Sequence, residues 1–224
     1  MTRFKLTKKK ECTVLTWPAK FLLLGILFLF FYFFMFQMPL YLSKSKPVYG
    51  DYLVLDGSMS DYSVKRAIEY FNTNNYKLIF TTGGKLSVGY YLEEKKTLAE
   101  LTRATFLELE FDSTKVIAIP GGNVLRNRTY TSGLTLKSYF EDQNIKKAKV
   151  DVVSTGCHSR RSMLLFQKAL GDNFKVGVYA IEDNSYELKK WWKTSKGART
   201  VISETIAFFY SKFFFYPNEN QNQT

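Results

Sequence analysis

Histidine and cysteine are nearly missing from this chain of 224 residues, which has one histidine and two cysteines. That scarcity excludes a disulfide scaffold and a Cys/His zinc site. Acidic residues are scarce at one end. Residues 1–46 carry eight Lys/Arg against one acid, whereas residues 47–224 carry 24 against 19. The formal charge of +12 is therefore concentrated at the N-terminal end. It is not the basic face of a nucleic-acid-binding domain, and no nucleic-acid partner is expected. The Walker A, G-x-G-x-x-G and G-x-S-x-G patterns are lacking as well, which removes the common phosphate-loop and nucleophile-elbow signatures. Hydrophobic residues make up 46%, enough to exclude a chain that is disordered throughout.

One uncharged apolar stretch dominates the N-terminal part. Residues 21–42 hold no charge, with Lys20 before them and Lys44 and Lys46 after. At ~1.5 Å per residue this length crosses a hydrocarbon core of ~30 Å. Trp17 and Tyr41 fall where interfacial aromatics belong. The run is too long and bulky for a cleaved signal peptide, and Gln37-Met38-Pro39-Leu40 lacks small residues at a cleavage position. The expected layout is a basic cytoplasmic N-terminus (residues 1–20), a transmembrane helix (21–42) and a main domain outside the inner (plasma) membrane, because Lys/Arg precede the span. The lipid bilayer is then a partner and accounts for the basic run. Cys12 and Cys157 would lie on opposite sides and remain free thiols.

Beyond a connecting segment at residues 43–50, a rhythm of short apolar runs begins. Five of them, at residues 52–55, 77–82, 115–119, 148–154 and 174–180, are rich in β-branched residues and bounded by turn residues. Helical periodicity fills the intervals at 61–72, 97–110, 129–140, 159–170 and 199–212. Strand–helix alternation of this kind predicts an α/β, three-layer, Rossmann-like domain over residues 51–216, with a mainly parallel sheet of about five strands. Residues 217–224 read as a frayed tail.

In such a fold, ligands lie outside the carboxyl ends of the strands. Those ends carry Asp56-Gly57, Gly83-Gly84, Pro120-Gly121-Gly122 and Thr155-Gly156-Cys157-His158. Glycine lets a backbone N–H approach an anion closely, although each pair also fits an ordinary turn. The sole imidazole, His158, is followed by Arg160 and Arg161 at a helix start. Arg128 and Thr129 open another helix on the same edge. Two arginine forks beside helix N-termini suit phosphate or carboxylate. The bland alternatives are a structural histidine and an Arg160 paired to a neighbouring acid. Trp191-Trp192 reads either as a ring-binding platform or as the lid of the last helix. The aromatic run at 207–216 is either core helix or a segment resting on the membrane.

Taken in order, several motifs resemble the YdcF/SanA/ElyC-like family of small, often membrane-tethered α/β proteins. They are Thr82-Gly83-Gly84, Arg128-Thr129-Tyr130, the run from Val153 through Gly156-Cys157-His158-Ser159-Arg160-Arg161 to Ser162, Glu204, and Trp191-Trp192 with Ser195 and Gly197. The first loop, Asp56-Gly57-Ser58, departs from the Gly-rich family version, and Glu100 is displaced from a family acid. The resemblance implies a place in peptidoglycan or surface-polysaccharide homeostasis. The expected ligand is an anionic, phosphate-bearing envelope precursor, with envelope-synthesis proteins as further partners. His158 is the candidate acid or base. Asp56, Gly57, Gly83, Gly84, Arg128, Thr129, Thr155, Gly156, Arg160, Arg161 and Glu204 are the candidate binding residues. A non-catalytic biogenesis factor is the alternative, with nucleotide or S-adenosylmethionine binding behind it. No particular cofactor is implied.

Overall fold

The computed structural model describes residues 12–57, 59–91, 94–122, 124 and 126–217. The first part of the basic N-terminus, and the tail from residue 218, lie outside the described residues. Helix α1 runs Trp17–Leu42 and begins four residues ahead of the uncharged stretch. Pro18 sits in its first turn, where a missing N–H costs nothing. The helix is long and apolar enough to cross a membrane, with a mean hydropathy of 2.3 over its best window. Its side chains from Phe21 to Phe33 are mostly exposed. The chain divides into two compact units between Gln37 and Met38. The final turn of α1 therefore belongs to the folded domain, where Met38 and Leu42 are buried and the Cys157 thiol reaches the Pro39 carbonyl at 3.8 Å.

The domain is built on β1 (Tyr52–Leu55), β2 (Leu78–Gly83), β3 (Val116–Pro120), β4 (Ala148–Thr155) and β5 (Phe174–Ile181). All paired neighbours are parallel, in the order β3-β2-β1-β4-β5. Helices α2 (Asp61–Asn72), α3 (Leu98–Glu108), α4 (Arg128–Asp142), α5 (Ser159–Leu170) and α6 (Ser195–Phe213) surround it. Alternate strand residues feed two cores, as a sheet covered on both faces requires. Val54, Phe80, Val150 and Val152 pack with Leu136, Phe140 and Phe166 from α4 and α5. Leu53, Leu55, Ile79 and Val116 pack with Val64, Ala67 and Phe106 from α2 and α3. The expected three-layer α/β fold with a parallel five-stranded sheet is the one observed.

Local chemistry explains several boundaries. Thr97 caps α3 and Glu100 answers it in a capping box, accepting from Thr97 N at 2.9 Å and Oγ1 at 2.8 Å. The displaced acid is thus a helix cap. Thr194 caps α6 through Gly197 N, so α6 starts four residues before its apolar periodicity. The connecting segment is held tightly. Buried Asp151 of β4 accepts from Val48 N at 2.7 Å, Gly50 N at 3.0 Å and Tyr76 Oη at 2.8 Å. Lys46 forms an antiparallel bridge with Val178 on the outer edge of β5.

Candidate functional site

Strand order reverses between β1 and β4, whose carboxyl ends carry Asp56 and the short 3-10 turn Gly156–His158. This is the switch point at which open α/β sheets hold ligands. A cleft of about 540 Å³ opens there, lined from five directions: the β1 and β2 ends, the first turn of α4, the start of α5 and one face of α6. That volume suits a small organic ligand. Gly83 is required by the packing at its floor. Its φ is 140°, and a Cβ there would lie 2.7 Å from Leu98 Cβ.

His158 stands between two carboxylates. With both ring nitrogens protonated, Nε2–H donates to Asp56 Oδ2 at 3.2 Å and Nδ1–H to Glu204 Oε1 at 3.1 Å. Burial alone would lower the imidazole pKa. The hydrogen bonds and charges of Asp56 and Glu204 override it and raise the value to about 9. His158 is therefore a cation at pH 7. Arg161 grips Glu204 with two prongs, Nε to Oε2 at 2.8 Å and Nη2 to Oε1 at 3.0 Å. Its Nη2 also lies 2.9 Å from His158 Nδ1, so guanidinium and imidazole are held close together against the Glu204 carboxylate. Burial pushes the Glu204 carboxyl up, but hydrogen bonds and charges from His158 and Arg161 bring it down to about 2. Ser162 Oγ donates to Asp56 Oδ2 and lies 3.1 Å from Ser154 Oγ. Two anions and two cations thus neutralise one another in a rigid cluster.

Further positive charge borders the cluster. Lys85 lies on the cleft wall with its Nζ 3.8 Å above the Tyr90 ring. Arg128, also on the wall, makes no ion pair among the described residues. It begins α4, whose cap residue Asn127 is left-handed (φ 55°) and contributes no side-chain cap. The first-turn N–H groups of α4 are left to face whatever enters. Among the described lining residues, Asp56 is the only acid.

Most of the sequence candidates meet here. Asp56, Gly57, Gly83, Gly84, Arg128, Thr129, His158 and Arg161 line the cleft, and Glu204 supports it through His158 and Arg161. Three candidates lie elsewhere. Thr155 Oγ1 donates to Met59 Sδ at 3.7 Å. Gly156 lines a smaller cavity of about 200 Å³ beside Asp183 and Tyr186. Arg160 turns to the end of α1, with Nε donating to Tyr41 O at 3.0 Å and the guanidinium 4.7 Å from the Tyr41 ring centre. It braces the last turn of that helix and does not line the cleft. Adjacent helical residues point ~100° apart, and here Arg161 takes the cleft side of α5 while Arg160 takes the side facing Tyr41.

Lys85, Ser132, Tyr210 and Ser211 also line the cleft and were not among the candidate site residues read from the sequence. For Lys85 the available signal was its place directly after Gly83-Gly84. Trp191 is buried, on the 3-10 turn Leu188–Lys193, and a Cβ on Gly197 would lie 2.4 Å from its carbonyl oxygen. It packs under the start of α6, and neither tryptophan lines the cleft. Both cysteines are free, and burial pushes the Cys157 thiol up to about 11, which makes it a poor nucleophile. No family model, curated protein or solved structure matches the chain.

Proposed function

We propose that this is a membrane-anchored envelope protein whose domain binds an anionic, phosphate-bearing envelope precursor in the switch-point cleft. The observation that supports this reading is convergence: Lys85 and Arg128, outside the neutralised cluster, meet the uncapped first turn of α4 and the Arg161 guanidinium around one cleft with a single lining acid. Arg128 and Lys85 neutralise the phosphate oxygens, Arg161 offers the Nη1 edge left outside its pair with Glu204, and the α4 backbone adds N–H donors. The excess of Lys/Arg before the apolar helix supports an inward N-terminus and an extracytoplasmic domain at the inner membrane.

His158, being charged, can give a proton but not take one at pH 7. In a catalytic version it protonates the oxygen that leaves phosphorus while a water oxygen bonds to phosphorus in its place and releases a proton to solvent, a contribution of ~10²–10⁴-fold. One observation favours a second reading. Both ring N–H groups already address carboxylates, as they would in a non-catalytic binding factor that presents the precursor to envelope-synthesis proteins.

Calorimetric titration of the full chain in detergent with inorganic pyrophosphate tests the site. Arg128→Ala and Arg161→Ala are each expected to weaken binding by about 10-fold or more, the worth of a charge-assisted hydrogen bond. Arg160→Ala is expected to leave it unchanged. An Arg160→Ala loss equal to that of Arg128→Ala would reduce the effect to overall charge and overturn the cleft. In an envelope-integrity complementation assay, collapse with His158→Gln despite normal pyrophosphate binding selects the catalytic version, and full complementation selects the binding factor.

A further inference from the structure

Helix α6 has three faces with different chemistry. Val201, Thr205 and Phe208 are buried against the domain. Ala207, Tyr210 and Ser211 line the cleft. The third face carries Ile202, Ile206, Phe209 and Phe213, which are between 44% and 66% exposed. Their spacing of four, three and four residues puts them on a single stripe. Phe214 and Tyr216, which follow the stripe in the chain, are 71% and 77% exposed, and Phe209 and Phe213 stack on each other with rings 6.1 Å apart. A continuous patch of this size needs an occupant in a folded protein.

Two further observations indicate what covers it. The last turn of α1 is part of this same unit, and Tyr41 meets Phe208 of α6 edge-on at 5.7 Å. Within the domain unit, the residues that follow Gln37 therefore pack against α6. The charge pattern agrees. Between Ser195 and Phe213 the only acid, Glu204, is turned inward onto His158 and Arg161, while Lys196, Arg199 and Lys212 are exposed. An apolar stripe flanked by outward cations and no outward acid matches an anionic lipid surface.

We propose that the α6 stripe, with Phe214 and Tyr216, is a second membrane contact that seats the domain on the leaflet from which α1 emerges. This rests on the membrane-anchored reading of α1. Tyr210, half exposed and lining the cleft, stands between the seat and the cavity. The cleft wall made by α6 then borders the lipid headgroups, and ligands reach it at that level.

Labelling of the full chain in vesicles tests the seat. In a Cys12→Ser background, where Cys157 is buried and unreactive, single cysteines at Ile206→Cys, Phe213→Cys, Leu29→Cys and Lys65→Cys take an environment-sensitive fluorophore. The vesicles are phosphatidylethanolamine–phosphatidylglycerol with acyl chains brominated near the headgroup. Labels at 206 and 213 are expected to lose most of their emission to bromine, whereas the label at 65, exposed on α2, keeps its emission. Residue 29, read against vesicles brominated deep in the chains, reports the anchor separately. Quenching at 29 with none at 206 and 213 overturns the seat and leaves the anchor standing. No quenching at any position overturns both. Cross-linking of copies through 206, without lipid quenching, assigns the stripe to a second copy and overturns the lipid seat. All four positions are exposed, so labelling does not threaten the fold.

Discussion

Two buried aspartates sit on neighbouring strands and do opposite work. Asp151, within β4, is fully buried, and its three donors come from Val48, Gly50 and Tyr76. Those donors are two backbone amides and a phenol, all fixed, and they hold the segment leading into the domain. Asp56, at the end of β1, is also almost completely buried, yet its partners are an ionisable ring and a serine hydroxyl, and it lines a cleft. Burial alone does not distinguish structure from function. The nature of the donors does: amides cannot change protonation state, whereas an imidazolium can.

The contrast breaks most visibly at Asp151. Asp151→Ala strands three buried donors and is expected to cost on the order of 3–5 kcal/mol in denaturant unfolding, with pyrophosphate binding unchanged in the molecules that remain folded. Asp56→Asn is the counterpart, with a smaller loss of about 1–3 kcal/mol and a much larger change at the site. The sole histidine gives a single imidazole signal in NMR, and its titration is expected to fall from about 9 toward the ordinary 6.5. An unmoved titration would show that Asp56 does not control His158. A third effect is the wild-type pH profile. His158 titrates higher in the folded chain than in the unfolded one, so its contribution is complete below pH 6.5 and is lost as pH rises through about 9. Glu204, held near 2 instead of 4.5, contributes above pH 4.5 and loses that contribution as pH falls through about 2. Stability measured by denaturant midpoint should therefore decline between pH 6.5 and 9, and His158→Gln should flatten that limb.

The strands and helices were legible because each apolar run ends at turn residues, and the helices at 61–72 and 159–170 fall on the residues read from periodicity. The switch point followed from topology, which brought Asp56 beside His158 across more than a hundred residues. What could not be read was orientation. Arg160 and Arg161 are equivalent in a sequence, and only the rotation of α5 sends one to the cleft and the other to Tyr41. A usable hint was present: His158, Arg161 and Leu165 recur at helical spacing and all line the cleft. In the sequence Asp151 is a polar residue within a valine-rich run, and residues 43–50 are a connecting segment. Neither reading anticipates that each explains the other, because their contact joins distant parts of the chain.

That contact has a temporal side. Residues 46–50 are among the first of the domain to be synthesised, yet their docking partners, Asp151 and Val178, come more than a hundred residues later. Gly177, against which the segment lies, has no room for a side chain, since a Cβ would fall 2.6 Å from Val48 N. Closing so distant a pair is slow, because the loop entropy is lost before the contact forms. Until β4 and β5 are in place, the early segment lacks these partners and the outer edge of the sheet is open to other strands. The part of the domain made first thus depends for its docking on strands made much later.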